Sequence, residues 1–466
     1  MSTHNGHNGH QGRAERAAFG KAQRAEVPLD AQVATGADGD RDPIGLLMGQ
    51  AASRVPELVP VRHARMAVSP FTYFRGAALP MAADLANAPS SGLTVQLCGD
   101  AHLSNFGAFA SPERRLVFDC NDFDETLPGP IEWDVKRLAA SFAVAARDNG
   151  FKRKQRQGIV REVAQAYREN IRQFATQGRL AVWYAHLDIE ATIPRFRDQI
   201  RPKAYSEATT TLAKARGKDS MQALSKLTRI VDGRRQIISE PPTIVPIEEV
   251  FSGLETDMLY RLIGGVIESY QRSLTTDRRH LLHQFNLVQV ARKVVGVGSV
   301  GTRAWIVLLE TGDGEPLFLQ AKEAQKSVLA PYAGASRYRN QGERVVAGQH
   351  LMQALSDIFL GWTRVNEPDV ATRDFYVRQL RDWKFSVPIE RMRPEGLELY
   401  ARMCGWTLAR AHARSGDPVA IGAYLGGSDR FDRAIATYAE DYADTTEQDY
   451  AAFRDHVKDE LVGVRP

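Results

Sequence analysis

The sequence predicts an α+β protein in which a small sheet-rich region is set among helices. Three observations carry that prediction. Strand-like runs at Val288–Val295, Arg303–Glu310 and Leu317–Ala321 follow one another closely, the first two flanking the glycine-rich stretch Gly296-Val-Gly-Ser-Val-Gly301. Long segments on either side repeat their apolar residues at helical spacing. Two shorter runs, Leu93–Cys98 and Arg115–Asp119, read as strands that bracket a polar loop.

Taken in order, residues 1–42 are rich in Gly, His, Asn, Ala and charge without apolar periodicity, and are expected to form a disordered tail. His4, His7 and His10 within it are expected to be solvated rather than to grip a metal. Residues 43–285 are expected to form a helical lobe, opening with short helices up to the Pro89-Ser-Ser-Gly92 break and then carrying the two short strands. After Pro128-Gly-Pro130, one helix is expected to place Val135, Leu138, Ala139, Phe142 and Ala146 on one face. A second does the same with Ile159, Val163, Tyr167, Ile171 and Phe174. Residues 201–235 hold nine Lys/Arg against three Asp/Glu, a solvated basic surface or, functionally, a dock for an anionic substrate. Ile230–Ile238 reads as a hairpin turning at Asp232-Gly233. A further helix turns Leu259, Leu262, Ile263, Val266, Ile267 and Tyr270 inward. Residues 286–386 form the expected sheet-rich lobe, with a helix from about 339 to 360 carrying Glu343 and a strand at Phe375–Phe385. Residues 387–466 complete the helical lobe, beginning with a helix from about 395 to 414.

Composition narrows the class. A chain of 466 residues with 43% hydrophobic and 25% charged residues is expected to be globular with a large core. A net charge of +4 is too small for this length to argue for nucleic acid. Cys98, Cys120 and Cys404 are too few and scattered for a disulfide framework or a CxxC metal site, and are expected to be small buried hydrophobes. With no apolar run near the ~18–20 residues that cross a bilayer, and no apolar signal core at the start, a cytoplasmic enzyme without a membrane partner is expected.

The chemistry concentrates in two stretches, Leu97-Cys-Gly-Asp-Ala-His-Leu-Ser-Asn105 and Val117-Phe-Asp-Cys-Asn-Asp-Phe-Asp-Glu125. An acid and an amide follow one apolar run, and a cluster of carboxylates follows the next. Such groups suit positioning a hydroxyl and holding magnesium against phosphate. The stretches resemble the catalytic and magnesium-binding loops of aminoglycoside phosphotransferases, roughly G-D-x-H-x-x-N and then D-F-[DE]. Gly99, Asp100, His102 and Asn105 fall on the first motif, and Asp122, Phe123 and Asp124 on the second. The wider chain resembles a bacterial family of unknown function, DUF2252, over about residues 45–455.

The resemblance implies that Asp100 orients or deprotonates an acceptor hydroxyl, and that Asn105 with Asp122 holds magnesium. Asp124 and Asp119 compete for the metal. His102 is expected to support the loop, and Asp134 to brace it from the following helix, with an ordinary first-turn helix acid as the alternative. Arg137 is read as reaching phosphate or as a surface ion pair. Strand, glycine loop and strand is the arrangement of a kinase nucleotide lid, so Gly296, Gly298 and Gly301 are expected to approach phosphates, Lys322 to bind them, and Glu343 to pair with Lys322. Cys98 stands where such enzymes often carry histidine. In ordinary kinases the glycine loop precedes the catalytic loop, whereas here it follows. The implied fold is therefore a two-lobed protein kinase-like fold, circularly permuted. The expected activity is ATP- and Mg2+-dependent transfer of a phosphoryl group to a small-molecule acceptor. A nucleotide-binding pseudokinase, an AMP-transferring enzyme and, from Gly99-Asp-Ala-His102, a metallophosphoesterase are the alternatives.

Overall fold

The computed structural model describes residues 11–37, 39–192, 220–294, 296, 298, 300–366, 372–380, 383 and 387–464. His4, His7 and His10, residues 201–219 of the basic stretch, and the ends of the runs at Val295 and Phe385 lie outside the described residues.

The protein is a mixed α+β structure with small antiparallel sheets. Its main core gathers around helix α6 (Ile131–Asp148), which begins directly after Pro130. Proline ends the preceding strand and fixes φ for entry into the helix. Small residues such as Ala139, Ala143 and Ala146 let neighbours close on α6 from every side, and even Glu132, Asp134, Lys136 and Arg137 are buried. Around it pack α7 (Arg153–Phe174), α10 (Pro394–Ser415) and α12 (Arg430–Val457). The apolar faces expected on the first two helices after Pro130 are buried here, whereas on the third expected face Leu262 is exposed.

Residues 11–42 depart from expectation. They carry α1 (Arg13–Glu26) and a short 3-10 turn at Leu29–Val33. Helix α1 docks on α11 (Pro418–Leu425), with a Cβ at Gly20 falling 2.0 Å from the Ala420 carbonyl oxygen. Polar anchors hold the rest: Arg16 to Asp417 at 3.1 Å, Gln32 to the Tyr424 hydroxyl at 3.0 Å, and Arg41 to Asp84 at 2.7 Å. Order here comes from small-residue contact and charge pairing, which apolar periodicity does not register.

The larger sheet is antiparallel in the order β12-β13-β11-β10-β9-β8, formed by Gly361–Val365, Arg373–Gln379, Pro316–Ala324, Ala304–Glu310, Asn286–Lys293 and Ile244–Pro246. β8 lies within the stretch expected to belong to the helical lobe, because three residues ending in proline give no strand signal. The hairpin β6 (Thr228–Val231) and β7 (Arg234–Ile237) turns at Asp232-Gly233 as expected, and Ile237 packs with Ile306, Leu308 and Phe318 of the sheet. Helix α8 (Thr256–Gln271) covers the opposite face through Tyr270, against Leu309, Leu317 and Leu319. Helix α9 is shorter than expected, spanning Gln341–Met352. Asn340 caps it by accepting from the Glu343 amide at 3.1 Å, and Gln353 leaves the helix with extended backbone.

Gly20→Val forces α1 off the Ala420 carbonyl. The expected loss is about 1–3 kcal/mol, with faster proteolytic release of the N-terminal segment. Unchanged melting and proteolysis would contradict this docking.

Candidate active site

Two strand pairings fix the two motif loops. β1 (Thr94–Leu97) pairs with β4 (Leu127–Pro130), Leu97 opposite Leu127, and β2 (Phe106–Ala110) pairs with β3 (Leu116–Cys120), Phe106 opposite Cys120. The loop at 98–105 leaves β1 and enters β2; the loop at 121–126 leaves β3 and enters β4. Each loop is thus anchored at both ends beside the other. They touch at Gly99, whose φ is +88° and whose Cβ would fall 2.3 Å from the Glu125 carbonyl oxygen. Only glycine accepts both conditions.

The first loop is braced from α6. The Asp134 carboxylate accepts the Cys98 amide at 2.6 Å and the Gly99 amide at 3.0 Å. His412 of α10 stands 3.3 Å from Asp134, and its other ring nitrogen is 2.8 Å from the Tyr167 hydroxyl. Arg137, also on α6, reaches Asp100 Oδ1 through Nε at 2.9 Å and Nη2 at 2.8 Å. It is buried, so this is an internal ion pair rather than a surface one. Asn105 donates Nδ2 to the Asp100 carbonyl at 2.8 Å. His102 lies 3.7 Å from Asp100, and burial pulls its imidazole down to about 4, so it is neutral near pH 7.

The second loop meets the sheet. Lys322 of β11 lies opposite Tyr376 of β13, so both side chains share one face. Lys322 Nζ donates to Asp124 Oδ2 at 2.8 Å and stands 3.5 Å from Asp122 Oδ2, and the Tyr376 hydroxyl donates to Asp124 Oδ1 at 2.5 Å. Burial works against the Lys322 charge, yet Asp122 and Asp124 outweigh it and hold the ammonium well above its ordinary range. The phenol of Tyr376 is pushed up by its burial and by Asp124.

The expected Lys322–Glu343 pair is not made. Glu343 sits in the first turn of α9 with its amide capped by Asn340, and the carboxylates at Lys322 come from the acid loop instead. The adjacent Arg344 is the buried residue there, donating to the carbonyls of Thr126 at 2.7 Å and of Asp124 and Gln325, each at 2.8 Å. Asp119, a competitor for metal, pairs with fully buried Arg410.

A cavity of about 1180 Å³ opens over these loops. Asp100, His102, Asn105, Asp122, Asp124 and Glu125 line it from the acid loops, and Gly296, Gly298 and Thr302 from the glycine stretch. Carbonyls of that stretch are tied to the segment before β1: Gly296 accepts from Arg65 at 2.8 Å, Val300 from Arg54, and Gly301 from the Val55 amide at 2.8 Å. Sequence reasoning passed over Arg54, Arg62 and Arg75 on this wall, although four arginines in residues 54–75 are a visible concentration. It also passed over Tyr376 and Glu125. Asp122, Asp124 and the Asn105 amide carbonyl are hard oxygen donors of the kind magnesium prefers. Among the described residues no three His, Cys, Asp or Glu side chains cluster as a ready metal site, and no helix is long and apolar enough to cross a membrane. All three cysteines are buried free thiols.

The chain belongs to the family described as an uncharacterized protein conserved in bacteria (DUF2252), which matches residues 54–456. No curated protein and no solved structure matches it.

Two outcomes test this geometry. Gly99→Ala strains a left-handed backbone and meets the Glu125 carbonyl, so a loss of about 2 kcal/mol or more is expected in denaturant unfolding. Glu125 is pushed up to about 7, by burial first. Below about pH 4.5 the folded and unfolded states both carry its proton. As pH rises from there toward 7 the unfolded chain releases the proton while the folded protein still holds it, so stability falls, levelling off once the folded carboxyl ionises too. Without divalent cation, Glu125→Gln should flatten melting temperature between pH 5 and 8, removing a decline worth at most about 3 kcal/mol. An equally steep profile in the variant would contradict the assignment.

Proposed function

We propose that this protein is an ATP- and magnesium-dependent phosphotransferase of circularly permuted, protein kinase-like architecture, moving the γ-phosphoryl group to a hydroxyl of a small-molecule acceptor. The observation that carries this reading is the approach of Lys322 Nζ to Asp124 and Asp122, at 2.8 and 3.5 Å, across residues far apart in sequence. Phosphoryl transfer asks mainly for positioning and charge neutralisation, and the residues divide those tasks.

Asp100 receives the acceptor. Arg137 holds Oδ1, so Oδ2 is the oxygen offered to a hydroxyl proton. Asp134, through the Cys98 and Gly99 amides, keeps that carboxylate in place without touching substrate. Neutral His102 fills the loop and holds no mobile proton near pH 7. Asp122, Asp124 and Asn105 would hold magnesium, which when bound neutralises phosphate charge. Lys322 then exchanges carboxylate oxygens for phosphate oxygens, and the glycine stretch covers them. The cavity of about 1180 Å³ exceeds the ~300–1,000 Å³ usual for one ligand, which suits a nucleotide and an acceptor together.

A thermal shift titration tests this reading. Mg-ATP at ~100 times its dissociation constant should stabilise the wild type by about 2.7 kcal/mol. Asp122→Ala and Lys322→Met should lose that ligand-induced gain, whatever their own melting temperatures. A wild type indifferent to adenine nucleotides with magnesium present would overturn the proposal. Release of ADP on adding acceptor mixtures separates transfer from binding alone.

A further inference from the structure

Three arginines that line the cavity, Arg54, Arg62 and Arg75, have no ion-pair partner among the described residues. Arg62 of α3 (Val59–Met66) is 0% exposed. Its Nη2 donates to Gln50 Oε1 at 3.0 Å and to the Gly76 carbonyl at 2.9 Å, while Nε and Nη1 are buried without a hydrogen-bond partner. Arg54, 7% exposed, spends Nη1 on the Val300 carbonyl and leaves a buried Nε without one. Arg75 of α4 (Pro70–Gly76) likewise has a buried, unsatisfied Nε. All three line the cavity.

Among the described residues, no carboxylate forms an ion pair with any of them. The acids that act on Arg54 are Glu125, Asp124 and Glu323, and those that act on Arg75 are Asp100, Asp122 and Glu390, in every case from beyond ion-pair contact. Arg62 senses chiefly burial and the like charge of Arg54, which together pull its guanidinium well below the arginine range. Five of those six acids are themselves engaged: Asp100 with Arg137, Asp122 and Asp124 with Lys322, Glu323 with Arg303 and Arg373, and Glu125 with the Val328 amide.

Gathering buried guanidinium groups without counter-charge is costly, because each leaves water without a compensating anion. The cost is removed when an anion with several acceptor oxygens enters, since guanidinium forks match phosphate oxygens. The arginines also border the glycine stretch. A Cβ at Gly301 would lie 3.0 Å from Arg54 Cβ, and one at Gly298 would lie 3.3 Å from the Arg75 carbonyl.

We infer that Arg54 and Arg75, backed by the charge of fully buried Arg62, form a phosphate-binding subsite of this cavity, separate from the lysine and acid-loop centre, that takes a phosphate or polyphosphate group. Its placement beside a transfer centre rests on the phosphotransferase reading; the anion site itself rests on the arginines. Two sources carry this chemistry, the polyphosphate tail of the nucleotide and a phosphate group on the acceptor. In the first case the arginines neutralise the chain being cleaved. In the second, the acceptor class is a phosphorylated alcohol rather than a neutral or cationic one.

Inorganic pyrophosphate, with EDTA and no nucleotide, is the probe. Isothermal titration should show binding to wild type that weakens about 10- to 100-fold in Arg62→Gln and in Arg75→Gln. Arg75 is only partly buried, so Arg75→Gln decides the matter if Arg62→Gln fails to fold by circular dichroism. Asp122→Ala should keep or strengthen pyrophosphate binding, because it removes a negative neighbour. Mg-ATP is then titrated into the same variants. Parallel loss of Mg-ATP affinity assigns the subsite to the nucleotide tail, and preserved Mg-ATP affinity assigns it to the acceptor. Pyrophosphate binding without Mg-ATP binding would end the phosphotransferase reading and keep this one. No pyrophosphate binding by wild type, or equal binding by a folded Arg75→Gln, would overturn it.

Discussion

One buried ammonium fastens the sheet to the acid loops. Lys322 is 3% exposed, and a lone charge there would be strongly unfavourable. Two carboxylates and the Tyr376 hydroxyl on Asp124 make it tenable. Removing one member of such a buried set costs about 3–5 kcal/mol, because the partner charge is left uncompensated. Arg344 reinforces the joint with neutral acceptors, tying the carbonyls of Asp124 and Thr126 to that of Gln325 just beyond β11. The registration of sheet against loops therefore depends on residues to which the proposed chemistry is also assigned.

Below this joint the loops are fixed several times over. Strand pairing anchors their ends, Gly99 lets them touch, and Asp134 gathers two consecutive amides. The supporting groups are themselves supported, since Asp134 meets His412 and His412 meets Tyr167. Helix α10 thus contributes to the site without entering the cavity. Such layered support holds polar groups where a reaction needs them. The cavity arginines differ in kind: Arg54 and Arg62 are each held through one hydrogen-bonding nitrogen, and all three keep a buried N–H without a partner, which suits a surface completed by a ligand.

Much of this was legible in the sequence. The strand-like runs at Val288, Arg303 and Leu317 became the central strands, and the periodic faces of α6 and α7 became buried faces, whereas on α8 only Leu259 and Tyr270 are buried and Leu262 is exposed. The acid-loop motifs found the residues that line the cavity floor. What escaped notice depends on tertiary partners. β4 reads Leu-Pro-Gly-Pro and β8 ends in proline, so neither carries a strand pattern. Helix α1 docks through a glycine rather than an apolar stripe. Glu343 was chosen by position in a familiar order, whereas Lys322 found its carboxylates on another element, a choice no spacing rule contains. The arginines at 54, 62 and 75 carry no signal of this role in the sequence alone, because burial without a counter-charge is visible only in three dimensions.

On the proposed reading, Lys322 changes partners when ligand enters. A crystal structure with magnesium and a non-hydrolysable ATP analogue tests it most directly. Lys322 Nζ should move from Asp122 and Asp124 onto phosphate oxygens, with the metal between those carboxylates and the phosphates. A cavity without nucleotide, or nucleotide bound while both carboxylates remain on Lys322, would contradict the account.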